Sequence, residues 1–198
     1  MAPFEIIAAP FETWIAVPGT AFPVINAAPA GAWARLGTAG NRNISEDGIT
    51  VTHAEEIETF TPLGLTAPVK AWRVSEGLEL SFMLHDMTIE QYIAVLNMGT
   101  ITTTAAGAGT AGHRAANLYK GTGSPPVRAV LLRGPGPYGD GWNMQYEIRR
   151  AIIRAEADVN FRRDEPAGLQ ITLTALVDTT APAGQELGIL RMQHAAPL

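Results

Sequence analysis

The sequence predicts a mainly β fold, a sandwich or barrel with one short packed α-helix at about residues 88–97 and extended arms or loops. Three observations carry this. Apolar and polar residues alternate with period two in several short runs, as in GLELSFMLH and WNMQYEI. The 20 glycines and 14 prolines fall mostly between those runs and read as turns. A single stretch, after Thr88, has helical spacing instead.

Residues 1–32 hold apolar pieces such as Phe4–Ala8 and Trp14–Val17, separated by Pro3, Pro10, Pro18, Pro23 and Pro29. Proline cannot donate to a central ladder, so the segment is expected to be an extended N-terminal arm, or else an edge strand folded on its own domain. A β-sandwich or barrel body is expected over residues 33–180 and a C-terminal tail over 181–198. After WARLG, the polar stretch TAGNRNISEDG leads into ITVTHAEEIETF, where β-branched residues follow the turn pair Asp47-Gly48. Leu78, Leu80, Phe82 and Leu84 then alternate with Glu79, Ser81 and Met83, the pattern of a half-buried strand. Thr88 and Gln91 have capping-box spacing, and Ile89, Tyr92, Ile93 and Leu96 recur on one helical face. The small residues of ITTTAAGAGTAGH suit a loop or hairpin tip, and NLYKG and VRAVLLRG read as strands. Trp142, Met144, Tyr146 and Ile148 alternate with Asn143, Gln145, Glu147 and Arg149. Residues 150–163 are compatible with helix or with a long bent strand, and the strand is preferred. Leu169, Ile171, Leu173, Ala175 and Val177 form the apolar face of a last strand.

Composition narrows the function. With 46% hydrophobic and 17% charged residues, the 198-residue chain has either an unusually full core or apolar surface that partners cover, and the second is favoured. The formal charge of −5 opposes tight binding to phosphate backbones. No cysteine is present, which removes disulfides, thiolate nucleophiles and Cys-dependent zinc sites. The first 34 residues carry no Lys or Arg, so a signal peptide is not expected, and no apolar run suits a membrane anchor.

Catalytic signatures are weak. None of Ser45, Ser75, Ser81 and Ser124 sits in a Gly-x-Ser-x-Gly elbow, and His53, His85, His113 and His194 lack helical metal-pair spacing. His85-Asp86 reads as a strand-to-helix junction. The glycine-rich stretches match neither phosphate-loop nor dinucleotide patterns. Carboxylate groups such as Glu55-Glu56-Glu58 read as solvated surface, and the arginines between 149 and 163 are interleaved with acids. No enzyme, cofactor or metal site is therefore expected.

The order WARLG, polar loop, DGITVTHAEEIE, PVKAWRVSEGLELSF and the helix DMTIEQYIAVLN, continued by PPVRAVLLRG through AGLQITLTALVD, resembles the major tail tube proteins of long-tailed, siphovirus-like bacteriophages. The likeness spans roughly residues 33–180. It implies a virion structural protein whose copies close into a ring, usually of six. Such rings stack into a tube that delivers the genome without specific DNA binding. It also implies tape-measure and tail-tip or terminator partners, assembly in the host cytoplasm and residence in the viral tail. Ring stacking calls for arms or loops that reach another ring. The expected inter-ring contacts are Arg42, Glu46 and Asp47 of the 37–48 loop, and the expected arm contacts are Phe4, Phe11 and Trp14; the 59–69 segment and the tail after Pro182 are further candidates. The rival readings are a carbohydrate- or receptor-binding β-sandwich, with Trp14, Trp33, Trp72 or Trp142 as stacking surfaces, and another head or tail component.

Overall fold

The structure is a computed structural model, and it describes residues 7, 10–96, 99–119, 121–139, 141–156, 159, 161–164 and 166–196, with the backbone alone at 155 and 156. Ten strands and one α-helix are formed among these residues: β1 Glu12–Ala16, β2 Ala34–Arg35, β3 Thr50–Phe60, β4 Lys70–Leu84, α1 Ile89–Leu96, β5 Ile101–Thr104, β6 His113–Ala116, β7 Val127–Pro135, β8 Asn143–Glu156, β9 Leu169–Ala175 and β10 Ile189–Met192. Eight of the strands make one antiparallel sheet in the order β2-β1-β7-β8-β9-β4-β3, with β10 added beside β8. The mainly β expectation with one short helix is met.

Residues 36–45 tie the two margins of this sheet together. Leu36 N–H donates to Thr13 O at 2.8 Å on the β1 side. On the other side Ile44 bridges Leu84, and Ser45 N–H donates to Met83 O at 3.0 Å. The sheet thereby curls around one core to which β1 gives Ile15, β4 Leu80 and Phe82, β7 Val130 and Leu132, β8 Ile148, β9 Ile171 and Leu173, and α1 Val95. The period-two runs of the sequence supply these side chains, as expected. The alternation of β9 holds through Ala175, but Val177 lies past the strand end and is exposed.

The outer face of β1, β7 and β8 carries a second layer. Residues 17–33 cross it as a strap joining β1 to β2, with Phe22 and Trp33 tilted together at 5.1 Å over Ala16, Ala129 and Leu131. Side chains hold the strap by its carbonyls at alternate residues. Trp33 Nε1 donates to Ala21 O at 3.0 Å, Gln145 Nε2 to Pro23 O at 3.0 Å, Asn143 Nδ2 to Ile25 O at 2.9 Å, and Arg133 to both Ile25 O and Ala27 O. A proline-bearing segment lacks some amide donors but keeps every acceptor, so this mode of attachment suits it. It also buries the polar face of β8. Gln145 and Glu147 are enclosed, and Glu147 Oε1 accepts from Gln145 Nε2 at 2.6 Å and Arg191 Nε at 2.8 Å.

Several local expectations need correction. The described residues of NLYKG form no strand: residues 117–119 are irregular, Lys120 lies outside the described residues, and the pairing strand β6 lies earlier, opposite β5 in a hairpin. The capping-box spacing at Thr88 and Gln91 is put to another use. Asp86 Oδ1 accepts Thr88 N–H at 3.0 Å, while Gln91 Oε1 accepts Gly37 N–H at 3.1 Å from the margin-tying segment. Asp86 Oδ2 accepts both the N–H and the hydroxyl of Thr38 at 2.6 Å, so residues 85–88 latch α1 to residues 37–38 as well as linking it to β4. Within residues 1–32 the described part forms β1, paired with both β2 and β7, and the strap, and within 181–198 it forms β10.

Candidate assembly surface

β3 and β4 pair along their full overlap, from Thr50↔Ser81 to Phe60↔Lys70. Only the first part of that ladder lies on the core. Every β3 residue from His53 onward is exposed, and so are the β4 residues before Gly77. Past Glu55 and Arg73, which border a cleft with Glu186 and Leu187, the paired strands run on for roughly 15 Å at about 3.3 Å per residue before the tip. The strands persist there because β-branched and aromatic residues, with the ladder itself, favour extended backbone without a buried face.

Ion pairs stiffen the arm near its base. Arg73 Nε meets Glu55 Oε1 at 2.6 Å, and Arg73 Nη1 lies 3.5 Å from Glu76. The Glu55 hydrogen bond and the two carboxylate charges raise the Arg73 pKa, so the guanidinium stays cationic. Pairs this exposed add little stability in water. The register jumps between Glu56 and Ile57, leaving Val74 without an opposite residue, and a bulge of this kind sharpens the local twist.

The outer half of the arm is apolar. Ile57, Phe60, Leu65, Val69, Trp72 and Val74 are each about half exposed, and Leu63 is fully exposed. Phe60 and Trp72 share a face, since their partners Lys70 and Glu58 stand opposite them. The tip is closed by Val69 N–H to Phe60 O at 2.9 Å and Leu65 N–H to Pro62 O at 3.2 Å, with Gly64 at φ +95°, a conformation that disfavours side chains. Such an apolar set on a projecting element makes the arm the candidate interaction surface.

The residues singled out from sequence fall in two places. Arg42 is exposed on the segment that ties the sheet margins, and Glu46 and Asp47 are exposed directly after it, with Asp47 Oδ2 3.3 Å from Ser45 Oγ. Phe11 borders the same cleft as Glu46 and Asp47, of about 600 Å³, so one arm residue and the loop are brought together. Trp14 lines a different groove, together with Trp142. Phe4 lies outside the described residues. The 59–69 segment becomes the arm tip, and the 189–192 part of the tail is built into the sheet. Sequence reading missed the length of the arm, because residues 70–76 show no inside-outside alternation.

Among the described residues no group of three or more His, Asp or Glu is placed to hold a metal, and no helix is long and apolar enough to cross a membrane. No family model matches the chain, and no curated protein matches it.

Proposed function

We propose that this protein is a self-assembling structural subunit whose copies form stacked rings, and that the stack is the tail tube of a long-tailed phage, a conduit for genome delivery. The observation that carries this reading is the β3–β4 arm, which stands clear of its own core and exposes an apolar outer half. Burying a Leu- or Phe-sized side chain is worth roughly 1.5–3 kcal/mol, so leaving such a set in water is costly unless a partner covers it. The free edge of β3, Thr50–Phe60, adds to it: no proline interrupts its backbone groups, and Glu55, Glu56 and Glu58 restrict pairing to a partner edge that does not repel them. Contacts between unlike surfaces close into rings or run on as filaments. The net charge of −5 suits a lumen through which DNA slides without specific binding. The tape-measure and tail-tip or terminator partners rest on the resemblance alone.

Negative-stain electron microscopy with light scattering, on purified protein across a range of concentrations, tests the proposal. Rings or hollow tubes of uniform width are expected. Single chains or dimers at every concentration would overturn it.

A further inference from the structure

We propose that the arm tip of one copy seats in a specific groove of a second copy, formed at the other margin of the sheet; this rests on the assembly reading and assigns its two contacting surfaces. The groove has a volume of about 450 Å³ and is lined by Trp14 and Trp142, with Pro10, Pro29, Pro135 and Gly134. It begins where the strap ends: Ala27 is the last residue held by its carbonyl, and Ala28 and Pro29 form the groove wall.

The charged groups bordering the groove are already engaged. Glu12 Oε1 lies 3.5 Å from Arg35 Nη1 and accepts Asn41 N–H at 3.4 Å, and Arg133 is turned to the strap carbonyls. What the groove offers a visitor is aromatic and proline surface. The tip matches it in kind, since residues 61–69, TPLGLTAPV, contain no charged side chain and present Leu63, Leu65 and Val69 to solvent. Other clefts among the described residues fit the tip less well. One is bordered by Arg149, Asp178 and Arg191, another by Glu46 and Asp47, and a third by Glu55, Arg73 and Glu76. Docking leucines in the first two would strip water from charged side chains with nothing to replace it, and the third lies at the base of the arm itself, where Glu55, Arg73 and Glu76 already pair.

Tip and groove lie on opposite margins of the sheet, β3–β4 against β1–β7. A contact between unlike patches leaves each copy with one free tip and one free groove, so it repeats from copy to copy.

The chain contains no cysteine, which makes disulfide trapping clean. Leu63→Cys and Ala28→Cys are introduced in separate chains, both at exposed positions outside the core, and circular dichroism confirms that each variant is folded before mixing. The two variants are mixed at equal concentration under mild oxidation and the products resolved on a denaturing gel. The expected product is the mixed Leu63→Cys/Ala28→Cys disulfide, at least tenfold over either homodimer. A statistical mixture, or homodimers in excess, overturns the inference. Rings or tubes without the mixed disulfide overturn the tip-to-groove contact and leave the tube reading standing. The mixed disulfide without rings or tubes does the reverse, and the absence of both overturns both.

Discussion

Replacing Asp86 with asparagine removes the latch between α1 and the segment that ties the sheet margins. Asp86 as a residue is only 4% exposed. Burial alone would push its pKa up, but the hydrogen bonds from Thr38 and Thr88 outweigh burial and bring it down to about 2 from the ordinary 3.8. Each pKa unit corresponds to ~1.4 kcal/mol, so the carboxylate contributes about 2 kcal/mol of stability at neutral pH. Because the folded value is the depressed one, the unfolded chain binds the extra proton first. The contribution is complete above about pH 4 and is lost as pH falls toward 2. Asparagine keeps one acceptor oxygen and turns an NH₂ toward a donor, so Asp86→Asn is expected to cost about 2–3 kcal/mol at pH 7. Urea unfolding of both proteins at pH 7, 4 and 2, at concentrations where light scattering reports single chains, measures this. The gap between them should shrink steadily from pH 4 to pH 2. A gap that is the same at all three pH values, or no gap at pH 7, would refute the latch.

Further outcomes follow from burial and contact. Leu80→Ala, in the centre of the core, should lower single-chain stability by about 2–5 kcal/mol, whereas Leu63→Ala at the arm tip should change it by less than about 0.5 kcal/mol; denaturant titration of the two distinguishes core from arm. Gly134→Ala should cost about 1–3 kcal/mol in the same titration, because its new methyl would lie 2.7 Å from the Phe11 ring, which must move. Arg133→Ala removes donors to Ile25 and Ala27, so hydrogen exchange and limited proteolysis should both accelerate within residues 21–30 while β9 stays protected.

What the sequence disclosed follows from where burial leaves a mark on side-chain pattern. Leu78 to Leu84 and Leu169 to Ala175 alternate because one face meets the core and the other does not, and both strands were legible. The helix was legible for the same reason, from Ile89, Tyr92, Ile93 and Leu96. The outer half of β4 was not, since residues 70–76 are all exposed and no buried face imposes a period. The burial of Gln145 and Glu147 was also hidden. Their cover is a strap held by backbone carbonyls, and carbonyls are the same in every residue type. β10 has four residues between Gly188 and a polar end, too short for a periodic signal. For the candidate assembly surface, the resemblance and its need for ring-stacking loops pointed to the 37–48 loop and the 59–69 segment, but the groove between Trp14 and Trp142 exists only through folding, because these residues are far apart in sequence.

The central claim is that the β3–β4 arm drives assembly. The most direct measurement compares the wild-type chain with one whose arm is cut in register, Ile57 being joined to its partner Arg73 by an Asn-Gly turn, by electron microscopy at matched concentration. The account predicts rings or tubes from the wild type, and from the shortened chain a folded single species with the same core stability and no assemblies. Equal assembly by both chains, or none by the wild type, would contradict it.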